Sequence, residues 1–221
     1  MLKRILAVLL IALWGMAPAM ADSQSSTRIQ SPDAMLQAAT NKALEALNKD
    51  HGAIRKDLNK LYDLVDQLVI PLVDFEAMSK LVLGKHWRKA TPEQRKRFMD
   101  VFEKLLKYTY TRSLRDYANQ TIRYFPNKTR IRDRYASVYS EFIPGQGKPN
   151  VPVVYKLRKS KDGSWKAYNL IIDNLSLVKN YRTDFGREIE EKGLDSLIAR
   201  LEKEQEEQKR KAEAEYAGTK G

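Results

Sequence analysis

The chain has 221 residues, 40 Lys+Arg against 28 Asp+Glu, a formal charge of +12 and no cysteine. Its length suits one domain with appendages, and 43% apolar residues can fill a sizeable core. No Cys excludes disulfides, thiol catalysis and thiolate metal sites, two His leave little for a His-ligated metal, and the positive balance calls for an anionic partner: nucleic acid, membrane surface or acidic protein.

Residues 1–21 favour export. Lys3 and Arg4 precede an apolar run from Ile5 to Trp14, which has signal-peptide length and is too short to span a bilayer. Pro18 breaks the run, and Ala19-Met20-Ala21 forms a small-x-small cleavage site. Removal of residues 1–21 lowers the formal charge by two and leaves a soluble chain outside the cytoplasm, which demotes the nucleic-acid reading. Residues 22–30 read as a polar leader.

Ser31-Pro32-Asp33 opens a first helix that reaches about Leu47: an N-cap candidate, Pro at N1 and an acid in the first turn. A second helix is predicted from Ile54 to Val69, ended by Pro71. A third runs from Leu72 to Leu83, opened by Asp74 and closed by Gly84. Thr91-Pro92-Glu93-Gln94 is a Thr-x-x-Gln capping box, and the long helix behind it reaches about Tyr117. After Asn119 the apolar period changes from near 3.6 to near 2. Four strands follow: Thr121–Phe125, Ala136–Ile143, Val151–Lys159 and Trp165–Ile172. Asp162-Gly163 marks a tight hairpin between the last two. A helix from Thr183 to Leu201 is weakened at Gly193, and residues 202–221 read as a charged tail, either a solvated helix extension or disordered. Helices first and then a mostly antiparallel four-stranded sheet make an α+β domain over residues 22–201.

The search for catalytic chemistry is mostly negative. No nucleophile elbow, zinc-protease helix or phosphate-binding loop occurs. His51 reads as a loop residue and His86 as a local capping or pairing group. Asp173 ends the last strand, where a cone-shaped α+β fold can place a base, yet Asp173-Asn174 equally suits a turn. Lys128, Arg130, Arg132 and Arg134 alternate with Thr129, Ile131 and Asp133, so an extended chain puts four cations on one face. That face is either a solvated strand edge that blocks pairing or a surface for anionic headgroups or an acidic partner.

The apolar inventory holds the candidate site. The third helix presents Leu72, Phe75, Met78 and Leu81, the fourth Phe98, Phe102, Leu106 and Tyr110, and the sheet Val138, Phe142, Val153, Tyr155, Tyr168, Leu170 and Ile172. Pattern by itself leaves open whether these fill one dry core or line a cavity.

Linked stretches resemble a known family. Pro71 to Met78, the run Leu83-Gly84-Lys85-His86-Trp87 through Arg95, then Trp165-Lys166-Ala167-Tyr168-Asn169 leading into Asn180-Tyr181-Arg182, and Gly193 to Leu201, are similar to the MlaC (toluene-tolerance, ABC-transporter auxiliary) family over residues 32–201. Asn169 and Asn174 stand where that family more usually shows Asp and Gly. The resemblance implies a nuclear-transport-factor-like sheet packed with helices around an apolar lipid cavity, lined by the residues just named. It also implies a periplasmic phospholipid carrier, without a cofactor and without catalytic residues. Such a carrier, a monomer with no nucleic-acid role, exchanges lipid with an inner-membrane MlaFEDB-type ABC transporter and an outer-membrane MlaA–porin complex. That exchange maintains outer-membrane asymmetry. Two acyl chains of ~16 carbons carry a hydrophobic cost of roughly 25 kcal/mol in water, so a carrier works if its cavity is about as apolar as a bilayer. The alternatives are a protein-binding adaptor or chaperone without lipid, and an enzyme using Asp173 and a tyrosine.

Overall fold

Local capping chemistry sets most of the helix boundaries. The computed structural model describes residues 31–49, 52, 58–114, 121–144 and 147–218. The signal-peptide and leader expectations, His51, the helix start at Ile54 and the helix end at Tyr117 lie outside these. Helix α1 (Pro32–Lys49) starts at Ser31, whose Oγ accepts from the Ala34 N–H at 3.4 Å. α2 covers Leu58–Leu68. Pro71 then sits in a 3₁₀ turn, Ile70–Leu72, rather than beside the third helix. That helix, α3, is Phe75–Leu83 and begins later than expected, because the Asp74 carboxylate accepts from Ala77 N–H at 2.9 Å and fixes the N-terminus there.

Gly84 closes α3 at φ +52°, and a Cβ at this position would lie 2.6–3.0 Å from the Arg182 guanidinium. Both the backbone angle and the close approach require glycine. A short helix, α4 (Lys85–Lys89), follows and was not anticipated. α5 (Pro92–Leu114) opens on the predicted capping box: Gln94 N–H donates to Thr91 Oγ1 at 3.1 Å, and Thr91 N–H donates back to Gln94 Oε1 at 3.0 Å.

All four predicted strands are present, but the sheet has six. β1 (Thr121–Tyr124), β3 (Tyr135–Ile143), β4 (Val151–Lys159) and β5 (Trp165–Ile172) are joined by β2 (Arg130–Arg132) and β6 (Leu175–Ser176). The order is β1-β3-β4-β5-β6, antiparallel throughout, with β2 also on β3. The count of four fails for a physical reason: all three β2 residues are exposed and β6 has two residues, so neither carries a buried alternation to read. The Asp162-Gly163 turn joins β4 to β5 as expected, with Gly163 at φ +84°.

α6 (Leu177–Lys192) and α7 (Leu194–Gly218) replace the single helix expected from Thr183 to Leu201. α6 begins earlier because Ser176 Oγ caps it, accepting from Lys179 N–H at 3.2 Å. Gly193, at φ +84°, stops α6 instead of weakening one long helix. α7 runs on through the charged segment to Gly218, the helix-extension reading of that stretch. Arg97 clamps its Glu202 bidentately from α5, at 3.0–3.2 Å.

Buried apolar residues form separate clusters. The largest joins α3, α4, α5, α6 and α7 around Met78, Val82, Leu83, Trp87, Phe98, Phe102, Phe185 and Leu197. A second packs α1 on the sheet through Leu36, Ala136, Val138, Leu157 and Trp165. A small third links α1, α2 and α5 through Leu47, Leu61 and Tyr62.

Candidate functional site

Strand alternation and register put Ala136, Val138, Ser140 and Phe142 of β3 on one sheet face with Val151, Val153, Tyr155 and Leu157 of β4 and Leu170 and Ile172 of β5. α1 covers only part of this face. Where it packs, Ala136, Val138 and Leu157 are 0–3% exposed. Beyond it, Phe142, Tyr155 and Leu170 are half-buried and Ile172 is 38% exposed. Val153, Phe142, Leu170 and Ile172 belong to neither the helical nor the sheet cluster. Among the described residues, an apolar half-face therefore lies outside both clusters.

The candidate residues sort into three groups. Phe98 and Phe102 are fully buried, stacked at 5.4 Å, and Met78 and Leu106 lie with them in the helical cluster, with Phe75 packed against it. Val138 and Tyr155 belong to the cluster under α1, Val138 inside it and Tyr155 against it. The others are outside both: Leu72 is half-buried in the 3₁₀ turn, Leu81 is 39% and Tyr110 43% exposed, Val153 is buried at 9%, and Phe142, Leu170 and Ile172 continue the same sheet face half-buried or exposed. Tyr168 departs from its expected alignment with Leu170 and Ile172. The register skips from Lys156↔Asn169 to Leu157↔Ala167, which leaves Tyr168 as the extra residue of a β-bulge. It pairs edge-on with Tyr135 at 6.1 Å and lines a groove with Lys156 and Asn169.

Polar groups mark the border between the covered and uncovered halves. Tyr124 and Thr40 hydroxyls lie 2.6 Å apart, and the Tyr124 ring stacks near Tyr155 at 6.2 Å. Burial pushes the Tyr155 hydroxyl far above the usual phenol range, so it stays protonated and able to donate. Ser140, opposite Tyr124 in the register, has a buried Oγ that interacts with the Tyr155 hydroxyl. On the helical side, burial and the neighbouring Tyr110 push Tyr181 in the same direction.

Two polar tethers tie the helices to β5, and neither was visible in the sequence pattern. The Asp74 backbone N–H donates to Ala167 O at 2.8 Å, and its carboxylate pairs with Arg158 of β4. Asn169 Oδ1 accepts from Val178 N–H at 3.1 Å while its Nδ2 donates to Ser176 Oγ at 3.0 Å. A buried carboxylate at a helix start and an amide in a strand are signals that become meaningful only once their partners are placed.

The residues weighed for catalysis have structural positions. Asp173 and Asn174 form the exposed two-residue turn between β5 and β6, at φ +48° and +64°. Asn tolerates the left-handed region that glycine would otherwise supply. His86 is half-buried in α4, its pKa lowered by burial and then by Lys85, with a buried Nε2 that has no hydrogen-bond partner among the described residues. Among the described residues no group of three His, Asp or Glu is placed to hold a metal, and no helix is long and apolar enough to cross a membrane.

The chain is similar to known proteins. The family described as MlaC protein matches residues 37–203. The chain is similar to the intermembrane phospholipid transport system binding protein MlaC of Haemophilus influenzae, 25% identical over 173 residues, 78% of this chain and 81% of that protein. It is 32% identical over 167 residues to the toluene tolerance protein ttg2D of Pseudomonas putida, 75% of this chain and 76% of that one. Among solved structures it resembles a phospholipid-binding protein from Ralstonia solanacearum in complex with a phospholipid, with a TM-score of 0.71 and 29% identity over 80% of this chain and 97% of that one.

Proposed function

The chain belongs to the MlaC family, and from that premise we propose that it is a periplasmic phospholipid carrier that works without catalysis. Acyl chains lie against the sheet half-face of Phe142, Val153, Tyr155, Leu170 and Ile172, with Leu72 in the turn that packs on β5. The observation that carries this reading is the likeness to a phospholipid complex over nearly the whole of that chain. The separation of the helical and sheet clusters supports it, since a continuous dry core would join them.

Burying acyl methylenes here offsets most of the ~0.8 kcal/mol that each costs in water. Transfer between a membrane and the carrier is then close to neutral, and direction is set by the complexes at either end. Those complexes are an outer-membrane MlaA–porin assembly and an inner-membrane MlaFEDB-type transporter, and the exchange maintains outer-membrane asymmetry.

Solvent extraction and native mass spectrometry of the purified mature protein test the reading. The expected result is co-purified phospholipid at a fixed ratio, and uptake of lipid from vesicles after delipidation. Repeated absence of lipid together with no uptake would leave the adaptor reading in its place.

A further inference from the structure

The sheet face opposite α1 carries charge that the fold does not neutralise. Register places Arg130, Ser137, Lys156 and Asn169 in one row across the sheet, and Arg132, Tyr135, Arg158 and Lys166 in the next. Alternation puts both rows on the side away from Val138 and Leu157. Arg158 is taken up by Asp74. Arg130 donates only to the backbone carbonyls of Asn127 and Thr129, and Lys156 only to Ser137 Oγ at 2.8 Å. Among the described residues, Arg130, Arg132, Lys156 and Lys166 make no ion pair. Arg158 and Lys166 face each other across β4 and β5, a like-charge pair that works against the sheet.

Aromatic side chains sit among these cations. Tyr135 is 49% exposed, and the bulge brings Tyr168 against it. With Arg130, Arg132 and Lys156 they line an open groove of about 550 Å3, at whose edge Ile131 is 57% exposed. The carboxylate on this hairpin is Asp133, at the turn between β2 and β3. Protection of a free edge accounts for Arg130 and Arg132. It does not account for Lys156 and Lys166 on inner strands, nor for Tyr135 left in the open.

We propose that this face docks the protein on a bilayer surface that contains anionic phospholipid. Headgroup phosphates meet Arg130, Arg132, Lys156 and Lys166, and Tyr135 and Tyr168 rest at headgroup depth, where amphipathic rings are favoured. A sheet spreads its cations in two dimensions, which matches a plane of charges better than a single acidic peptide. The surface is distinct from the cargo half-face, since the two lie on opposite sides of β3 and β4.

The test is co-sedimentation of the full mature protein with phosphatidylcholine vesicles, with and without phosphatidylglycerol, at low and high salt. Binding is expected only with phosphatidylglycerol and is expected to fade at high salt. Arg130→Glu/Arg132→Glu should weaken it on the order of a hundredfold, with unchanged circular dichroism and unchanged lipid content of the purified protein. Arg132→Ala/Tyr135→Ser provides a milder pair on the same exposed hairpin if the charge reversal disturbs folding. Equal binding to both vesicle types, or full binding by a folded variant, overturns the proposal. So does a variant that keeps vesicle binding and loses only its hold on a purified membrane-complex protein, which would assign the face to an acidic protein partner.

Discussion

The helical cluster and the sheet cluster are filled in different ways. Among the helices, Phe98 and Phe102 of α5 and Tyr181 and Phe185 of α6 pack ring against ring at 5.2–6.1 Å, and Phe98 and Phe102 are fully buried. On the sheet, Val138 and Leu157 are just as buried, but the same face a few ångströms along is only half-covered. One region is closed on itself and the other is closed at one end. The first holds the fold, and the second is where a guest with apolar surface gains by entering. An apolar face is informative when its neighbours fail to cover it.

The largest expected effect lies in the closed region. Phe102→Ala should cost about 3–5 kcal/mol in chemical denaturation, through lost transfer energy and a cavity that the surrounding rings cannot collapse into. A cost below about 1 kcal/mol would mean that Phe102 lines a space already open, and the distinction between the two regions would fall. Asp74→Ala comes next. It removes the α3 cap and leaves Arg158 without its partner, and Arg158 is partly exposed, so roughly 2–3 kcal/mol is expected. Because this residue ties helices to sheet, loss of bound lipid beyond the loss of folded protein would show that the tether also sets the slot.

A smaller effect depends on pH. Arg200 holds the Glu188 carboxyl below the usual carboxylate range, chiefly by a hydrogen bond, against burial, which raises it. A depressed folded pKa contributes stability above the unfolded value, and that contribution is lost as pH falls through the folded one. Glu188→Gln should therefore destabilise by at most about 1 kcal/mol at neutral pH. The difference from the parent protein should shrink as pH falls below the unperturbed carboxylate range and vanish once it is below the depressed folded value. A gap that stays constant with pH would mean that the α6–α7 pairing acts by packing.

The smallest stability effect is predicted in the open region. Ile172→Asp, at a position 38% exposed, should stay within about 0.5 kcal/mol. It should nevertheless reduce co-purified lipid several-fold, because a carboxylate in the slot must be desolvated by the acyl chains. A strongly destabilised protein would place Ile172 in a dry core. Normal loading in a stable protein would remove it from the slot.

Much of the fold was legible where a short-range rule decided it. The capping box at Thr91 and Gln94, the Asp162-Gly163 hairpin and the four long strands follow from neighbours within a few residues. Elements whose signal is weak or distant were missed. β2 has no buried residue, Asp74 capped α3 from a position that was read as inside it, and Gly193 stopped a helix that periodicity would have continued. The site was legible only as composition. Leu170 and Tyr168 look alike in an alternating strand, and a single bulge sends them to different surroundings.

By itself, the sequence determined the α+β order, the helix starts at Ser31 and Thr91, the excess of cations and the supply of apolar side chains, since these depend on residue type and near neighbours. Tertiary structure decided which apolar residues are covered. Phe102 and Ile172 are equally oily, but coverage depends on partners far along the chain, and no local pattern records where those partners stop.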